Sequence, residues 1–298
     1  MLIVAGFIAI AYALVCTSVL LLQHRLMFCP ASVIENTPAD FGLPYEELWL
    51  PISNKGKIDK IHSWWIPSDS PESKVMLYLH GNACNIGSYL EIAQRLHQLG
   101  LSLLLIDYRG YGRSDGKFPR ESQVYQDAQV AWDYLVQQRG INPQDIFVYG
   151  YSIGGAIGID LAVRNPDMAG LILEGSFTSM RDMADYQGKY GFLPIDLLLT
   201  QRFDSISKIK SLQTPIFLIH GTSDTTVPAR MSQVLFDAAT VPKQLWLVPD
   251  AAHNDLTTVA TAEYQQKIRE FVTQVYAGQA IAQQSSSKHS AVSGQRSA

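Results

Sequence analysis

The chain has 298 residues, with 23 Lys and Arg against 27 Asp and Glu for a formal net charge of −4, and 47% hydrophobic residues. This balance suits a globular protein of one large domain or two small ones, and it excludes the basic footprint of a nucleic-acid binder. Three cysteines at irregular spacing, Cys16, Cys29 and Cys84, make neither a disulfide framework nor a zinc motif, and Cys84 is expected as a buried small side chain.

The first segment, MLIVAGFIAIAYALVCTSVLLL, carries no charged side chain over about 22 residues. That length crosses a hydrocarbon core of about 30 Å as a helix. A signal peptide and a buried core helix are the alternatives, but a signal peptide wants a basic start, a shorter apolar run and a small-residue cleavage site. No Lys or Arg precedes the run, and its Ala-x-Ala pattern falls near Ala9 to Ala13, well before the run ends. Residues 1–23 are therefore expected to be a single-pass membrane anchor. Arg25 follows the span, with Lys55, Lys57 and Lys60 further on. The positive-inside tendency then favours the bulk of the chain on the cytoplasmic side.

Residues 45–67, YEELWLPISNKGKIDKIHSWWIP, predict two strands joined through Asn54-Lys55-Gly56. From Val75, short apolar runs alternate with helical periodicity. The runs at 75–79, 101–106, 146–149, 171–174, 216–219 and 245–248 predict strands buried on both faces. Helices are predicted around 88–99, stopped at Gly100, and around 121–139, stopped at Gly140. A last helix carries Tyr264, Ile268, Phe271, Val272 and Val275 on one face and is expected to stop at Gly278. The alternation predicts an α/β fold: a mostly parallel central sheet with helices on both faces and antiparallel N-terminal edge strands. Residues 177–213 interrupt it as a short insertion placed to cap the sheet's carboxyl edge. The chain thus reads as an anchor (1–23), a domain (24–278) and a polar, Ser/Gln-rich tail (279–298) expected to be disordered.

Gly150-Tyr151-Ser152-Ile153-Gly154 matches G-x-S-x-G between a predicted strand and a predicted helix. There the serine sits on a strained turn at the sheet's carboxyl edge, where open α/β sheets bind ligands, and the next helix points its N-terminus at it. A serine hydroxyl needs a base and a group to orient that base. The expected chain order is Ser, acid, His. Asp224 follows the strand in IFLIHGTSDTTVP, and His253 follows the strand in LWLVPDAAHNDL. Among the other histidines, His80 and His220 precede the acid, and His24, His62, His97 and His289 lie in unsuitable places. Glu174, also at a strand end, rivals Asp224, whereas Asp250 and Asp255 read as solvated loop residues or local caps. Two backbone N–H groups should meet the oxyanion. One belongs to Ile153 and the other to Asn82 in YLHGNACNIGSY, with Ala83 as its alternative. DYRGYGRSDG (107–116) reads as a rigid scaffold loop with an Asp107/Arg109 pair.

Taken together, HGN, DYRGYGRSDG, GYSIGG, HGTSDTTVP and AAHND resemble the α/β-hydrolase superfamily over about residues 20–275. With the apolar span followed by HRLMFCP, they are most similar to the membrane-anchored branch that includes protein depalmitoylases and monoacylglycerol-type lipases. The resemblance implies the α/β-hydrolase fold, with Ser152 as nucleophile, Asp224 as acid and His253 as base. Hydrolysis of a carboxylic ester or thioester is expected, with no metal or cofactor needed, and the membrane anchor, by its location, makes lipid-like or acylated substrates the expected ones. Amide cleavage by an aminopeptidase-like enzyme, or a non-catalytic binding module on the same fold, are the alternatives.

Overall fold

The computed structural model describes residues 1–70 and 73–294, with side chains through 278. Of the tail expected to be disordered from 279, the backbone of residues 279–294 is helical, and 295–298 lie outside the described residues. Helix α1 (Leu2–Met27) is followed by the short strand β1 (Cys29–Pro30). Next comes the hairpin of β2 (Glu46–Asn54) and β3 (Lys57–Ile66). Its two-residue turn places both Lys55 and Gly56 at positive φ, 48° and 82°. A turn of that hand matches the twist of the two strands.

The alternating part follows as β4 (Val75–Leu79), the short β5 (Ala83–Cys84), α2 (Leu90–His97), β6 (Ser102–Ile106) and α3 (Glu121–Asp133). Then come β7 (Ile146–Tyr151), α4 (Ile153–Arg164) and β8 (Gly170–Glu174). The insertion contributes α5 (Met180–Gln187), α6 (Ile195–Leu198) and α7 (Ser205–Lys208). The chain closes with β9 (Ile216–Gly221), α8 (Arg230–Ala238), β10 (Lys243–Val248), α9 (Leu256–Val259) and α10 (Thr261–Gly294).

Eight strands form one sheet in the order β10-β9-β8-β7-β4-β6-β3-β2. The β2–β3 and β3–β6 pairs are antiparallel, and every other pair is parallel. Side chains alternate between the faces of a strand, and each face has its own core. Leu77, Val148, Leu171 and Leu218 pack with residues of α3, α4 and α8 such as Val124, Ile157 and Leu235. Their strand neighbours Tyr78, Phe147, Ile172 and Phe217 pack with Leu96 of α2 and Phe271 of α10. Burial on both faces is why these strands read as unbroken apolar runs.

Four local expectations are corrected. β10 lies at the sheet edge and is only partly buried, so its apolar run reports one covered face. α10 continues through Gly278, because one glycine lowers helix stability by only about 1 kcal/mol. Arg109 pairs with Asp127 of α3 at 2.7 Å, not with Asp107. Asp107 instead accepts from the Ile86 N–H at 2.9 Å and contacts His62 Nδ1 at 3.2 Å, so the loop is held by its neighbours. Cys84 is exposed, at a positive φ of 66°.

Candidate active site

Ser152 stands between the end of β7 and the start of α4, with φ 55° and ψ −118°. A residue with a Cβ adopts this conformation only under strain, on the order of 1–3 kcal/mol, which the surrounding structure must hold. The flanking glycines make the turn possible. A Cβ on Gly154 would lie 2.0 Å from the Leu79 carbonyl oxygen, and one on Gly150 2.4 Å from that of Gly154. The Ser152 N–H donates to the Glu174 carbonyl at 2.8 Å, fixing the elbow to β8.

Asp224 lies in the loop after β9 and His253 in the loop after β10. These strands are adjacent, so the two loops meet. His253 Nδ1 is 2.6 Å from Asp224 Oδ2. The other carboxylate oxygen accepts the N–H groups of Thr226 and Val227, each at 2.8 Å. Burial opposes ionisation of Asp224 most strongly, but hydrogen bonds from His220, His253 and Val227 outweigh it and hold the carboxyl well below the usual range. An ionised Asp224 favours the tautomer that donates Nδ1–H to it, which leaves Nε2 unprotonated and chemically able to take a proton.

Ser152, Ile153, Asn82 and His253 all line one cavity of about 680 Å³. Among the described residues no hydrogen bond joins Ser152 Oγ to His253; such contacts often tighten only when substrate is bound. Ile153 is the first residue of α4, so its N–H has no preceding helical turn to bond. The Asn82 carbonyl accepts from Cys29 N at 2.8 Å and Tyr111 Oη at 2.7 Å, and the Asn82 side chain donates to the Met27 carbonyl at 3.0 Å. The loop bearing the Asn82 N–H is thereby tied to the end of α1.

Comparison with known proteins agrees with this architecture. The Hydrolase_4 family profile, described as serine aminopeptidase S33, matches residues 70–200. Protein bem46 of Schizosaccharomyces pombe is 33% identical over 283 residues, covering 91% of this chain and 92% of that protein. The human alpha/beta hydrolase domain-containing protein 17B is 32% identical over 212 residues, covering 69% of this chain and 68% of that protein. The chain belongs to the α/β-hydrolase superfamily. It is a hydrolase. The Pyrococcus furiosus esterase Pf2001 superimposes with a TM-score of 0.68 at 23% identity, covering 83% of this chain and 98% of that one, which supports the same fold.

In this α/β-hydrolase the rival acid Glu174 is placed differently. Its carboxylate accepts hydrogen bonds from the hydroxyls of Tyr149 and Tyr264, the latter at 2.8 Å, and makes none with His253. Burial pushes its carboxyl up to about 7, against the pull of the Tyr264 hydroxyl. Because the folded pKa exceeds the unfolded one, the stabilisation is complete below about pH 4.5 and is lost as pH rises towards 7. Asp224 acts at the acid end and is constant in that window. Thermal melts at pH 5 and pH 8 are therefore expected to differ less in Glu174→Gln than in wild type. The difference is on the order of 1–3 kcal/mol.

Sequence reasoning missed two residues that line or support the candidate site. It set His220 aside on chain order, yet His220 Nε2 is 3.1 Å from Asp224 Oδ2 and 2.8 Å from the Val227 carbonyl. Its Nδ1 is 2.6 Å from Ser232 Oγ. A histidine at the end of a strand, four residues before the acid, was the available signal. Tyr151, inside the motif itself, donates to the His253 carbonyl at 3.1 Å and so helps to set the His253 loop.

Proposed function

We propose that this α/β-hydrolase is a membrane-anchored serine hydrolase that cleaves a carboxylic ester or thioester. The observation that carries the reading is the 2.6 Å Asp224–His253 pair opening into the cavity that Ser152 lines. In this reading Ser152 Oγ attacks the carbonyl carbon while its proton passes to His253 Nε2. Asp224 holds the imidazole in the required tautomer and stabilises its cation. The N–H groups of Ile153 and Asn82 bind the oxyanion. His253 then protonates the departing alcohol or thiol, leaving an acyl group on Ser152. Water, deprotonated by the same imidazole, releases the acid and restores the hydroxyl.

α1 is long and apolar enough to cross a membrane and lies at the N-terminus. Read as an anchor rather than a signal sequence, it concentrates the site near acylated or lipid-like substrates, with the domain on the cytoplasmic side by the position of Arg25. The serine aminopeptidase description of the matching family favours a second reading, amide cleavage on the same triad. Acyl-ester, acyl-thioester and aminoacyl-amide reporters separate the two. The ester or thioester is expected to turn over at least tenfold faster by kcat/KM, and faster amide turnover would overturn the first reading.

A further inference from the structure

α1 meets the hydrolase domain in a way a simple tether does not require. Val19, Gln23, Leu26 and Met27 fall on one stripe of the helix, and all four line the cavity that holds Ser152 and His253. The facing wall comes from the insertion, including Met180, Met183 and Leu199.

The helix is locked there by Gln23, which is 4% exposed. Its amide donates to the carbonyls of Leu20 and Leu198, both at 3.0 Å. Its oxygen accepts the N–H groups of Thr200 and Gln201 at 2.8 and 3.0 Å. Every hydrogen-bonding capacity of the side chain is used, and three of the four bonds reach the insertion. Higher on the helix, Tyr12 Oη donates to the Phe192 carbonyl at 2.9 Å. Gln23 stands eleven positions after Tyr12 on the helix, about 16 Å along the axis. The insertion therefore follows α1 well into its apolar span, and it carries Phe192 and Leu197 there, 64% and 82% exposed.

Resting on the reading of the chain as an anchored ester hydrolase, we infer that α1 is a wall of the substrate site. The acyl chain of a long-chain ester enters from the bilayer between α1 and the insertion. The substrate is then an ester that resides in a membrane, and Val19 and Leu26 help to set the acyl length accepted.

The test uses the full chain in lipid vesicles, with 4-methylumbelliferyl hexadecanoate and butanoate as substrates and a small fluorophosphonate as probe. In Val19→Trp and Leu26→Trp the ratio of hexadecanoate to butanoate kcat/KM should fall at least tenfold. Leu14→Trp, on the opposite face of α1, should keep the wild-type ratio. If a tryptophan variant takes no label, Leu26→Ala, which opens the wall instead of filling it, should still move the ratio. An unmoved ratio in labelled wall variants, or an equal shift in Leu14→Trp, overturns the proposal and leaves the hydrolase reading standing. A wild-type chain that takes no label and cleaves neither ester overturns both.

Discussion

Ser152→Ala is expected to lower kcat by about 10⁵–10⁶-fold and to abolish fluorophosphonate labelling. Alanine is the informative replacement because it keeps a Cβ at the same strained backbone, φ 55° and ψ −118°. The elbow, the Ser152 N–H bond to Glu174 and the start of α4 should all survive, so the difference isolates the hydroxyl. Residual catalysis from the oxyanion donors and substrate binding alone is typically 10³–10⁴ over water. Matching circular dichroism and melting curves for the two proteins would establish that the fold is intact. Retention of more than about 1% of wild-type turnover would assign the nucleophile elsewhere, since removal of a triad serine costs far more than that.

The second large effect is at the acid. Asp224→Asn should lower kcat by about 10⁴-fold with little change in fold. The asparagine amide can present a donor to His253 Nδ1, so the ring proton moves to Nε2 and the base can no longer accept the serine proton. The oxygen that receives the Thr226 and Val227 N–H groups is retained, which protects the loop. Glu174→Gln, in contrast, should leave kcat within a few-fold of wild type, because Glu174 faces Tyr149 and Tyr264. Steady-state kinetics of the two variants decide between the acids, and the opposite pattern would make Glu174 the partner of His253.

Much of this arrangement was legible in the chain because its signals are local. All six predicted runs are strands of the sheet; five are covered on both faces and so leave continuous apolar runs, while β10 at the edge is covered on one. The hairpin announced itself through Asn54-Lys55-Gly56, and Ser152, Asp224 and His253 stood out as candidates through their places at strand ends. What escaped depends on contacts between distant segments. Arg109 sits two residues from one carboxylate, but the fold supplies Asp127 instead. Gln23 looks in the sequence like an ordinary polar residue at the end of an apolar span. Three of its partners lie more than 170 residues away, so nothing near it in the chain marks it as buried. His220 was discarded by a rule about order that concerns the base and says nothing about who steadies the acid.

The backbone at Ser152 sets two demands against each other. Glycine would occupy φ 55° without a Cβ to strain, recovering on the order of 1–3 kcal/mol. That gain is only partly offset by the greater freedom glycine gives the unfolded chain, about 0.5–1 kcal/mol. With Ser152 as the proposed nucleophile, the sturdier protein at this position is thus the inert one. A search for heat tolerance alone would lead away from the enzyme, and any attempt to engineer this scaffold must screen for turnover alongside stability.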